Sequence, residues 1–123
     1  MPRREPPLIR ETRKLIESTE HLKAELVAYQ EAAEEMVSTL RPGAAASATI
    51  EMMERLKVAE LRERVTAAIA HFEAARHSVR VELVAAAQEE GRHLSDVARA
   101  LGVSRQLTSR LGIEARERND SAG

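Results

Sequence analysis

The sequence predicts an all-α protein: a long antiparallel, coiled-coil-like helical hairpin followed by a C-terminal three-helix domain. Three observations carry this. Hydrophobic residues make up 43% of the 123 positions and aromatic residues only 2%, so any core is built from Leu, Val, Ala and Met, as in helix bundles rather than sheets. Apolar residues recur at alternating steps of four and three over two long stretches, the heptad period. The few Pro and Gly residues cluster where helices must begin or stop.

Residues 1–7, with Pro2, Pro6 and Pro7, read as a flexible basic tail, although Pro7 also suits the first position of a helix, where its missing N–H costs nothing. The first long helix spans Leu8 to Leu40. Its seam is Leu8, Thr12, Leu15, Thr19, Leu22, Leu26, Tyr29, Ala33, Met36 and Leu40; Ile9, Ile16 and Val37 widen the apolar stripe. Such a helix is ~50 Å long at 1.5 Å per residue and must bury that stripe against something. Arg41-Pro42-Gly43 ends it; Ala44 to Ala46 can start the next helix, with Ser47 or Thr49 the preferred N-cap.

Positions 50–90 contain no Pro or Gly. Leu61, Val65, Ala68, Phe72, Ala75 and Val79 repeat the four–three spacing, which predicts a second long helix to about Arg76 and a further one from Ser78 to Glu90. Nothing in the residues forces a break between them. The segment 41–49 is short enough to fold the two long helices back on each other. The expected organisation is a tail (1–7), a helical hairpin for dimerisation or interaction (8–76), a C-terminal domain (77–113) and a disordered polar tail (114–123). Leu15, Leu22, Leu26, Tyr29, Met36, Leu61, Val65 and Phe72 are the candidate dimerisation residues. Two readings stay open: hairpins paired into a four-helix dimer, or long helices that diverge and pair with another chain.

The C-terminal domain centres on Gly91 to Gly112, GRHLSDVARALGVSRQLTSRLG. Two short helices are expected, Ser95–Leu101 and Ser104–Leu111. Gly102 stands where the first must stop and reverse, a place that favours φ > 0. Ser104 is placed to cap the second through its hydroxyl. Val97, Ala98, Leu101, Val103 and Leu111 fall on inward faces, and Ala98 is small where the helices approach. This is the grammar of a helix-turn-helix, whose second helix enters the DNA major groove.

The segment resembles the DNA-reading element of the lac-repressor family and, more loosely, of resolvases and invertases. Leu94, Asp96, Val97, Ala98, Gly102, Val103, Ser104, Gln106, Ser109 and Arg110 carry the likeness, over about one sixth of the chain. That family usually has a β-branched apolar residue where this chain has Thr108. Thr108 fits if its methyl is buried and its hydroxyl bonds a backbone carbonyl one turn back. No hinge helix or sugar-binding domain follows the motif, so the resemblance implies a DNA-reading element, not a sugar-responsive repressor. It implies that Arg105 and Gln106 reach base edges, guanine suiting Arg and adenine Gln. Ser104, Ser109 and Arg110 are then placed for phosphates, and Arg92, His93 and Arg99 for the backbone alongside. Asp96 is read as a first-turn acid favoured by the helix dipole.

The remaining composition bounds the alternatives. Net charge is −1, but residues 1–75 carry −2 and residues 76–118 carry +2, the latter with arginine as the only cation besides histidine. So weakly basic a module binds DNA poorly alone, which argues for a homodimer or a protein partner held through the long helices. Cysteine is absent, excluding disulfides and thiolate metal sites. His21, His71, His77 and His93 include no i,i+3 or i,i+4 pair, so no metal is expected. Glu34-Glu35 and Glu89-Glu90 diverge on a helix and read as solvated faces. No Gly-rich phosphate loop exists. No catalytic residues, cofactor, membrane span or secretion signal are expected; the predicted class is a cytoplasmic, nucleoid-associated DNA-binding transcriptional regulator, the alternative being a helical interaction module or antitoxin-like, plasmid-maintenance protein that docks a partner through its long apolar helices.

Overall fold

A computed structural model describes residues 5–122, and in the described residues the chain is all helical. The helices are α1 Pro7–Thr39, α2 Ala46–Arg55, α3 Val58–Glu89, α4 Leu94–Leu101 and α5 Arg105–Ala122. Most of the basic tail, residues 1–4, and Gly123 lie outside the described residues. No helix is long and apolar enough to cross a membrane. The chain divides into two compact units, Glu17–Glu73 and a second made of Met1–Ile16 with Ala74–Gly123, so α1 and α3 each contribute to both.

Pro7 is the first residue of α1, and the Arg10 amide donates to the Pro6 carbonyl at 3.0 Å. The helix stops ahead of Arg41-Pro42-Gly43, with Gly43 at φ 80°. α2 takes the earlier of the expected starts. Its N-cap is the extended Ala45, without any side-chain cap, rather than Ser47 or Thr49. An alanine run has the highest helix propensity and starts a helix uncapped.

The open question at 76–78 is settled in favour of continuity, and a break that was not expected lies elsewhere. No interruption exists at 76–78, and α3 runs through it unbroken. The chain breaks instead at Leu56-Lys57. Lys57 adopts φ 55°, the left-handed region. The Leu56 amide donates to Met52 O at 2.9 Å and Lys57 N–H to Glu54 O at 3.1 Å, closing α2. The Lys57 carbonyl then accepts from the Leu61 amide at 3.1 Å and opens α3. At 76–78 no residue removes a donor or calls for positive φ, so the backbone ladder continues.

In the unit Glu17–Glu73 the buried residues are Glu25, Ala32, Met52 and Ala68. The expected seam therefore holds on one side only. Leu22 and Met36 are half-buried as the heptad requires, as are Leu61, Val65 and Phe72 on α3. On the other side Glu25 and Ala32 replace Leu26 and Ala33, one residue earlier. A contact no local pattern reveals accompanies this: Arg64 Nη2 donates to Glu25 Oε1 at 3.2 Å, while its Nε lies 2.8 Å from Oε2 but poorly aligned. Leu26 and Val27 face outward, at 45% and 53% exposure, and Tyr29, on the same side as Leu22 and Met36, is 40% exposed as well. Of the eight candidate dimerisation residues, Leu26 and Tyr29 are thus exposed, and Leu15, like the other five, is half-buried.

The second unit has a three-helix core. Val81, Val84 and Ala87 of α3 meet Val97 of α4 and Leu111 and Ala115 of α5, flanked by Leu83, Leu94, Leu101 and Leu107. Each fully buried Val or Leu contributes about 1.5–3 kcal/mol by area removed from water. α5 does not stop at Gly112, and residues 114–122 are helical rather than a frayed tail. Gly112 is buried because α3 comes close: a Cβ there would sit 2.9 Å from Gln88 Nε2. Beyond it, Ala115 is 1% exposed, and Arg118 lies 3.7 Å from Glu82 of α3. Core contact and charge pairing thus hold a segment whose composition alone reads as solvated.

Candidate nucleic-acid interface

The segment from Gly91 to Leu111 is shaped by two turns built alike. Gly91, at φ 72°, closes α3: its amide donates to Gln88 O at 3.1 Å and the Arg92 amide to Ala87 O at 2.9 Å. Gly102, at φ 68° and ψ 32°, closes α4 with Gly102 N–H to Arg99 O at 3.3 Å and Val103 N–H to Ala98 O at 3.0 Å. This paired bonding satisfies the last carbonyls of a helix and needs a left-handed residue, which glycine supplies without steric cost. α4 starts one residue earlier than expected, at Leu94, after an extended His93.

Ser104 then caps α5, its Oγ accepting from the Leu107 amide at 3.1 Å. Thr108 is wholly buried, and its hydroxyl donates to the Ser104 carbonyl at 3.0 Å. The same carbonyl accepts the Thr108 amide at 3.1 Å. A hydroxyl thus takes the place of an apolar methyl by bonding one turn back, and it leaves no buried polar atom unmet. Ala98 and Leu111, 5% and 1% exposed, complete the inward side.

With that side held, the opposite side of α5 faces solvent. Arg105, Gln106, Ser109 and Arg110 are all exposed, and the i,i+4 pairs Arg105/Ser109 and Gln106/Arg110 lie along one face. Ser104 is exposed too, although its hydroxyl is engaged in the cap. Arg92, His93 and Arg99 are exposed. Arg99 and Arg105 line one open cleft with Ser95, Ala98 and Val103, so the two guanidinium groups approach a shared surface from α4 and α5. Among the described residues neither Arg105 nor Arg110 forms an ion pair.

Two features of the site were not anticipated. Asp96 is more than a first-turn acid: Arg99 Nη2 donates to its Oδ1 at 2.5 Å, and Arg92 Nη2 lies 3.6 Å from its Oδ2. The i,i+3 and i−4 spacings were visible in the sequence and carry that signal. Elsewhere in the unit, His77 Nε2 lies 2.8 Å from Glu114 Oε2, and Arg118 reaches Glu114 at 3.7 Å. That cluster ties α5 to α3 across 37 positions of sequence, and no spacing rule reports it.

The electrostatics divide with the units. Residues 17–73 hold six Lys/Arg against eleven Asp/Glu, a net −5; the remaining residues hold thirteen against nine, a net +4. The near-neutral total conceals a basic unit that carries the whole candidate interface. Comparison with family models, with curated proteins and with solved structures finds no match for this chain.

Proposed function

We propose that the chain is a small DNA-binding regulator, working as a dimer, in which α4 and α5 act as a helix-turn-helix and the N-terminal half of α5 enters the major groove. The observation that carries this reading is the outward face of Arg105, Gln106, Ser109 and Arg110, opposite a buried Thr108 and Leu111. Arg105 and Gln106 sit at the start of α5, where a docked helix meets base edges, with guanine and adenine their respective partners. Ser109, Arg110, Arg92, His93 and Arg99 flank that line and are placed for phosphate. The +4 charge of this unit supplies sequence-independent attraction. In this reading the long helices form a hairpin that pairs two copies, so the target is a pseudo-palindrome with half-sites ~34 Å apart or a multiple of it. Such a protein works in the cytoplasm, at the nucleoid.

A second reading has its own support. Leu26, Val27, Tyr29 and Val37 leave an exposed apolar strip on α1, 82% exposed at Val37, within a unit of net −5. Strips of this kind mark protein contacts, and the chain then docks another protein through its long helices, as an interaction module or in the manner of an antitoxin.

Selection of bound duplexes from a random pool separates the two. One enriched palindrome, with a stable dimer by light scattering, supports the regulator. Arg105→Ala then costs about 1–3 kcal/mol at its own base position if the contact is bidentate. A pool that yields no enrichment at low salt, or binding indifferent to joint Arg105→Ala and Gln106→Ala substitution, refutes it.

A further inference from the structure

We infer that Asp96 is a positioning residue of this interface, holding Arg92 and Arg99 so that they meet a duplex backbone in one register. The inference rests on the DNA-binding reading above and adds a determinant of its specificity. The geometry is a carboxylate shared between two guanidinium groups. Oδ1 takes Arg99 from one turn ahead at 2.5 Å, and Oδ2 faces Arg92 from one turn behind at 3.6 Å. The Asp96 side chain is 32% exposed, against 64% for Arg92 and 76% for Arg99. The anchor is sheltered and the two cations project beyond it.

Three consequences follow from that arrangement. A guanidinium has five N–H donors, and a shared carboxylate engages only some of them, so both arginines keep donors for a phosphate oxygen. Their long side chains lose rotamer freedom before any ligand arrives, so less is lost on docking and wrong placements are disfavoured. The negative charge of Asp96 also offsets part of the attraction to phosphate, which weakens binding to any sequence alike. Asp96 therefore lowers affinity for unrelated DNA more than for a target that meets both arginines where they are held. Arg105, which among the described residues has no such partner, stays free to follow the bases.

The test uses the full-length chain and fluorescence anisotropy on two duplexes, the enriched one and a scrambled one, from about 50 to 300 mM salt. Asp96→Asn keeps the side chain's shape and removes its charge. The expected result is a roughly eightfold tighter binding to the scrambled duplex at about 0.1 M salt, with a salt slope steeper by about 0.9, as one additional phosphate contact predicts. Affinity for the enriched duplex rises less, so the ratio between the two falls. Adding Arg92→Ala and Arg99→Ala to the Asn variant removes the gain, while unchanged far-UV circular dichroism shows that the helices persist. Wild-type binding with an Asp96→Asn variant of the same affinity and slope overturns the inference alone, leaving a surface ion pair of no consequence. A gain that survives in the triple variant overturns it as well, since the arginines then have no part. A wild-type chain that binds neither duplex at low salt overturns the DNA-binding reading, and the inference falls with it.

Discussion

The same substitution, glycine to alanine, is expected to have opposite signs at two positions ten residues apart: Gly102 in the turn and Gly112 within α5. At Gly102 an added Cβ meets nothing within 4 Å, so its cost is conformational alone. Holding an L-residue at φ 68° costs about 1–2 kcal/mol, of which ~0.4–1 is returned by a stiffer unfolded chain. Gly102→Ala should therefore destabilise by about 1 kcal/mol. Gly112 has ordinary helical geometry, and alanine gains up to ~1 kcal/mol of helix propensity there. Its Cβ would come 2.9 Å from Gln88 Nε2, the free end of a flexible side chain, which can swing aside. What is given up is a hydrogen bond from Gln88 Nε2 to Gly112 O at 3.5 Å, at the limit of useful length and worth under about 0.5 kcal/mol. Gly112→Ala should therefore stabilise by about 0.5 kcal/mol. Both sites lie in one unit, so urea unfolding followed by circular dichroism at 25 °C reports them on one transition. The two midpoints should straddle that of the wild type with an unchanged slope. A neutral or stabilising Gly102→Ala would refute the left-handed turn. A Gly112→Ala that loses more than about 1 kcal/mol would show that α3 and α5 approach more closely than described, with no slack for Gln88.

Two further outcomes follow from the backbone. Lys57→Gly, at φ 55°, should raise stability by about 0.5–1 kcal/mol, read as a higher melting temperature, because the left-handed strain is relieved at the cost of a freer unfolded chain. Ser104→Ala should lower stability by about 1 kcal/mol in urea titration, since the Leu107 amide loses its cap, whereas Ser104→Asp should keep most of it.

Much of the candidate site was legible because its determinants are local. Gly102, Ser104 and Thr108 each act within four residues, and all three adopt the roles that their chemistry suggests. Pro7 as a helix start and Gly43 after a helix end are equally short-range. The misreadings share the opposite property. Lys57 breaks a helix without being a breaker, so no residue type announces it. Glu25 is buried beside Arg64, 39 positions away, a pairing that no heptad rule contains. The expected second helix ends at Leu111, yet α5 continues through Gly112, since a glycine can serve as spacer where α3 comes close at Gln88. The helical segment 114–122 was likewise hidden, because Glu114 and Arg118 look solvated until His77 and Glu82 face them.

A left-handed lysine, in a region that favours glycine, forms the joint between α2 and α3. Without proline, glycine or a side-chain cap among the described residues, the bend is held by backbone hydrogen bonds, Leu56 N–H to Met52 O and Lys57 N–H to Glu54 O. The crease opens onto a cleft lined by Ile50, Met53, Lys57 and Val58, in which Ile50 is 55% exposed. A group seated against those side chains would bear directly on the backbone that Lys57 holds in the left-handed region.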